Sequence, residues 1–150
     1  MKFILTKELG RLARWLRILG FDALYQREGN QTKVLLLALR EGRIVITRNK
    51  VLFDKISAKA VYLKEGKLKE QLKKTIKALN ITIDEGKMFS RCVVCNKPLV
   101  AVDKTDIKDK VPPYVNKTQD EFSWCSQCQK AYWPGSHWGN IRRYFKELGP

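Results

Sequence analysis

Short apolar runs alternate with helical periodicity through the first half of this chain. Phe3-Ile4-Leu5 predicts a strand. Leu9, Leu12, Ala13, Leu16 and Leu19 then share one face of a helix from about Lys7 to Leu19, which Gly20 stops. Ala23-Leu24-Tyr25 predicts a second strand, followed by a helix that Thr32 caps, that runs to about Arg40 and that Gly42 ends. Arg43-Ile44-Val45-Ile46 predicts a third strand, Val51 to Ile56 a short helix, and Ala60-Val61-Tyr62-Leu63 a fourth strand. Leu68, Leu72, Ile76 and Leu79 mark an amphipathic helix after Gly66. Strand and helix alternating this regularly point to an α/β domain whose parallel sheet is covered on both faces. In open sheets of this kind, ligands bind beyond the carboxyl ends of the strands. Those ends lead into Thr6-Lys7, Gln26-Arg27-Glu28 and Thr47-Arg48-Asn49-Lys50, where an active site is expected.

The pattern changes near Asp84-Glu85-Gly86, giving an α/β domain over residues 1–86 and a second domain over 87–150. The second domain contains Cys92-Val-Val-Cys95, then 29 residues, then Cys125-Ser-Gln-Cys128. Two such knuckles supply Cys92, Cys95, Cys125 and Cys128 to one tetrahedral ion and leave no position for water, which predicts a structural zinc in a small C-terminal ribbon. A pair of disulfides is the competing reading, and a reducing compartment disfavours it. His137 is a spare donor beside a complete shell, expected to cap the last helix or to touch RNA. Trp138, Ile141, Phe145 and Leu148 recur at helical spacing in that last helix, with Trp138 and Phe145 expected in the core. So small a ribbon depends on its metal for folding, so strong chelation is expected to unfold residues 88–150 and leave the N-terminal domain folded.

Charge adds a partner to this picture. Thirty basic against fifteen acidic residues give a net charge of +15, and residues 1–86 hold 19 of the basic and 9 of the acidic side chains. A field of this sign attracts polyanions, of which RNA is the abundant one in the cytoplasm. Lys7, Arg11 and Arg14 fall at i, i+4 and i+7 on the first helix, opposite its leucines, with Arg17 on the same helix. Arg48 and Lys50 stand at the presumed mouth of the sheet, and His137, Arg142 and Arg143 mix with Tyr132, Trp133 and Trp138 in the ribbon, a combination suited to phosphate contacts and base stacking. Lys67, Lys69, Lys73, Lys74 and Lys77 read equally well as a solvated face. No apolar run approaches the roughly 20 residues that span a bilayer. MKFILTKELGR lacks the long apolar stretch of a secretory signal, so a cytoplasmic protein without membrane attachment is expected.

Leu9-Gly-Arg-Leu-Ala-Arg-Trp-Leu-Arg-Ile-Leu-Gly-Phe-Asp22 resembles the signature helix of the Mut-seven C-terminal ribonuclease family, a PIN-like branch of nucleases with an appended zinc ribbon. Gly42-Arg-Ile-Val-Ile-Thr-Arg48 resembles that family's third strand. Arg91-Cys-Val-Val-Cys-Asn-Lys-Pro-Leu99, Val111-Pro-Pro-Tyr-Val115 and Tyr132-Trp-Pro-Gly-Ser-His-Trp138 resemble its ribbon. The resemblance implies a PIN-like sheet, RNA as ligand and, in active members, hydrolysis of RNA with a divalent metal. It also implies aspartates at two positions occupied here by Thr6 and Asn49, and acids in the segment that here reads Glu28-Gly29-Asn30-Gln31. Thr and Asn offer oxygen without charge, whereas Mg²⁺ needs clustered carboxylates to hold it against a phosphate. The expectation is an RNA-binding protein on a degenerate nuclease fold, seated on a ribonucleoprotein such as the ribosome, with ribosomal RNA and ribosomal proteins as partners. The alternative is an active ribonuclease using Mg²⁺ or Mn²⁺ on a site rearranged around Asp22, Glu28 and Asp54.

Overall fold

The computed structural model describes residues 1–56, 59–135 and 137–149, with the side chain of His137 outside the described set. Two compact units divide the chain, the first ending at Asn96 and the second running Lys97–Gly149. The division falls beyond the linker predicted at Asp84-Glu85-Gly86, because the segment after it is fastened to the first unit. Phe89 N–H donates to the carbonyl of Ile18 (2.8 Å). A Cβ on Gly20, whose φ is +90°, would come within 2.2 Å of the Lys87 carbonyl oxygen, so only glycine admits this approach.

The first unit is a four-stranded parallel sheet in the order β2-β1-β3-β4. Its strands are β1 (Lys2–Leu5), β2 (Asp22–Tyr25), β3 (Ile44–Thr47) and β4 (Ala60–Tyr62), and its helices α1 (Gly10–Ile18), α2 (Gln31–Glu41), α3 (Lys50–Asp54) and α4 (Leu68–Ala78). Every strand expected from the sequence is present, within a residue or so of its expected ends. The first predicted helix splits into a 3-10 turn over Lys7–Leu9 and α1, and the cap of α2 is Asn30, not Thr32: its side chain accepts from Lys33 N–H (3.0 Å). Ile4, Val45, Val34 and Leu52 form one apolar cluster that joins the sheet to α2 and α3, while α1 packs with α4.

The second unit is an antiparallel sheet, β5 (Val100–Val102), β6 (Phe122–Cys125) and β7 (Lys130–Tyr132), with α5 (Pro113–Thr118) and α6 (His137–Leu148). Its small core is Ile107, Val111, Val115, Phe122 and Ala131. Pro113 opens α5, where its missing N–H costs nothing. On α6, Phe145 is buried as expected and Trp138 is half-buried.

Candidate functional site

The strand order changes direction between β1 and β3, and the carboxyl ends of these two strands frame a small pocket lined by Thr6, Lys7, Glu8, Gly29, Gln31, Val34, Asn49 and Leu52. Thr6 directly follows β1 and Thr47 ends β3, with their hydroxyl oxygens 3.0 Å apart. Glu8 is a residue that the sequence pattern did not single out. The 3-10 turn after β1 folds it back, so that Oε1 accepts from the Thr6 hydroxyl (2.5 Å), from Arg48 N–H (3.0 Å) and, at longer range, from the Thr47 hydroxyl (3.5 Å). Burial alone would push its carboxyl pKa up. The bonds from Thr6, Arg48 and Thr47 outweigh that and hold it below the usual carboxylate range. The signal was its place two residues after a strand end, within reach only once the chain turns tightly.

Asn49 is committed to the helix that follows it. Its Oδ1 accepts from Leu52 N–H (3.1 Å) as the cap of α3, and its own N–H bonds the Thr47 hydroxyl (3.0 Å). The pocket therefore contains one carboxylate among its lining residues, with one oxygen already engaged.

The three acids considered for a rearranged metal site are not brought together. Asp22 opens β2, opposite Lys2 in the parallel register, which puts it at the amino edge of the sheet. There it pairs with Arg43 Nη1 (2.7 Å) and accepts from Asn96 Nδ2 (2.7 Å). Glu28 is exposed beside Lys33 (3.9 Å), and Asp54 is paired with Lys50 (2.5 Å) at the far end of α3.

The basic candidates divide in the same way. Lys7, Arg11 and Arg14 are exposed, and the Lys7 backbone is anchored by the Tyr25 hydroxyl (2.6 Å). Arg17 must be withdrawn from the RNA face: it is 6% exposed and donates to the carbonyls of Ala23, Val93 and Val94. The helical drift from Arg14 to Arg17 turns the second residue into the core. Arg48 reaches the carbonyl of Lys64 (3.2 Å), and Lys50 lies over the rings of Phe53 and Tyr62 while paired to Asp54. Arg142 lies over Trp138 and Arg143 is exposed, whereas the side chain of His137 lies outside the described residues.

The sulfur atoms of Cys92, Cys95, Cys125 and Cys128 all lie within 4.8 Å of one another, and none is in a disulfide. Bonds of about 2.3 Å to one tetrahedral zinc require sulfurs about 3.8 Å apart, so the spacing fits that ion. Cys128 N–H donates to Cys125 Sγ (3.4 Å), and Asn96 N–H closes the first knuckle on the Cys92 carbonyl (3.0 Å). Among the described residues this is the one grouping of three or more metal-ligating side chains.

A family model described as the Mut7-C RNAse domain matches residues 1–145. The chain belongs to that family. The Mut7-C match runs through both compact units, and so covers the carboxyl-edge pocket and all four cysteines. It places the chain among ribonuclease-type domains, a nucleic-acid-related class. Neither a curated protein nor a solved structure matches the chain significantly. No helix among the described residues is long and apolar enough to cross a membrane.

Proposed function

We propose that this Mut7-C chain binds RNA without cleaving it and holds one structural zinc ion on Cys92, Cys95, Cys125 and Cys128. The observation that carries the reading is the state of the carboxyl-edge pocket. Glu8 is its one carboxylate, and Thr6, Thr47 and Arg48 N–H, which keep it anionic, already occupy one of its oxygens. Metal-dependent phosphodiester hydrolysis needs several anionic oxygens around a divalent ion. Thr6 and Asn49 stand where the family resemblance implies aspartates, and Asn49 has a helix to cap. Lys7, Arg48 and Lys50 near the pocket and Arg11 and Arg14 on α1 supply cations for the phosphate backbone, and Arg142 and Arg143 do so on the ribbon. The zinc would close its shell with four thiolates and hold the chain in place.

RNA affinity of the zinc-loaded chain, measured without added divalent ions and in Mg²⁺ or Mn²⁺, tests the reading. Equal affinity in the two buffers, with the RNA recovered intact, is the expected result. Glu8 itself favours a second reading, a ribonuclease built on this carboxylate. Metal-dependent cleavage that disappears in Glu8→Gln would establish it and overturn the first. Residence on a ribonucleoprotein such as the ribosome is part of the proposal, and sedimentation of the protein from native extract with ribosomal particles checks it.

A further inference from the structure

Cys92-Val-Val-Cys95 is fastened to the α/β unit by two side chains. The Arg17 guanidinium, buried on α1, donates from Nη1 to the carbonyls of Val93 (2.9 Å) and Val94 (3.1 Å), and from Nε to that of Ala23 (2.9 Å). Asn96 has left-handed backbone (φ 72°) and completes the attachment. Its Oδ1 accepts from Ala23 N–H (3.0 Å) and its Nδ2 donates to Asp22 Oδ1 (2.7 Å). Both backbone groups of Ala23 thus face away from β1 and find partners on Asn96 and Arg17. Since β2 is the outermost strand, these hydrogen bonds close its otherwise unpaired side.

Electrostatics point the same way. A divalent ion on four thiolates carries a net charge of about −2. Cys92 is fully buried, and a buried charge is costly unless a countercharge is at hand. Arg17 lies within electrostatic reach of Cys92 and Cys95.

We propose that Arg17 is the outer-sphere cation of the metal cluster, positioning the first knuckle and compensating its charge, so that metal binding and the folding of β2 form one linked equilibrium. The inference rests on the zinc reading above. Linkage makes it reciprocal: whatever favours the metalled knuckle also favours the β2 edge, and loss of the Arg17 charge weakens metal retention. It replaces the expectation, drawn from the sequence, that the N-terminal domain is indifferent to chelation.

The test uses the full chain. Metal analysis of the wild type, and its loss on removing the cysteines, first establishes zinc; a chain without cysteine-bound zinc overturns both the zinc reading and this proposal, whereas a zinc-loaded chain indifferent to Arg17 overturns this proposal alone. Chelator competition then compares Arg17→Lys, which keeps the cation, with Arg17→Met, which keeps the length and loses the charge. Arg17→Met should surrender zinc about tenfold more readily, as outer-shell substitutions do, and Arg17→Lys should retain most of the affinity. In the wild type, hydrogen exchange should show protection of residues 22–25 falling about tenfold or more once metal analysis confirms that zinc has left. Wild-type zinc affinity in Arg17→Met, or Arg17→Lys no better than Arg17→Met, overturns the proposal. So does β2 protection that is unchanged after zinc loss, and this measurement decides alone if Arg17→Met does not fold.

Discussion

At the scale of single residues, Asp22 and Arg43 show how an acid can be conspicuous in a motif and yet serve the fold. Their side chains are 19% and 9% exposed and 2.7 Å apart, and Arg43 also holds the Phe3 carbonyl (3.1 Å). Burial would push the Asp22 carboxyl up, but the bonds from Arg43 and Asn96 hold it below its ordinary value. A carboxylate depressed in the folded state stabilises fully above its unfolded pKa, about 3.9. That stability is lost as the pH falls through the lower folded value. Asp22→Ala removes one of the two carboxylates on Arg43, leaving Glu41 (2.5 Å), and should cost about 2 kcal/mol in denaturant unfolding at pH 7. The deficit relative to wild type should shrink as the pH is taken below about 4. Asn49 makes the complementary case. Asn49→Ala should cost about 1 kcal/mol through the missing cap, while Asn49→Asp should leave stability within a few tenths, because aspartate caps a helix equally well. Denaturation midpoints of the two variants check this.

At the scale of elements, the sheet was legible because each strand is a short apolar run punctuated by Gly20, Gly29 or Gly42, and each helix repeats its leucines at helical spacing. The same alternation of strand and helix is what makes the carboxyl edge the expected ligand side. Glu8 and Arg17 escaped for opposite reasons. A 3-10 turn after β1 redirects Glu8 into the pocket, and no periodicity announces a turn of that kind. Arg17 reads as surface because arginine usually is, and only the arrival of Val93 and Val94 carbonyls from far along the chain makes its burial tolerable. Composition changes at residue 86, but hydrogen bonds decide where a unit ends, and those continue to Asn96. No apolar periodicity marks the short α5 helix, which Pro113 opens as proline in a first turn can.

At the scale of the whole molecule, a net charge of +15 gives RNA association a strong ionic component. Arg11 and Arg14 are exposed on α1 and are the best-placed members of that field away from the pocket. Arg11→Ala combined with Arg14→Ala should weaken binding across sequences and flatten the salt dependence by about one unit for each phosphate that is no longer neutralised. A titration of affinity against salt reads this directly, and an unchanged slope would move the RNA-binding surface elsewhere.

The tight passage of Lys87 over Gly20 bears on how such a chain was assembled in evolution. A recombination break near residue 86, where composition alone would place the seam, would strand Arg17 and Ala23 without their acceptors and donors. A break after Asn96 would sever none of these bonds. The nuclease-like body and the first pair of cysteines are therefore a single heritable piece, and exchange of tails among relatives should leave its scars beyond that point.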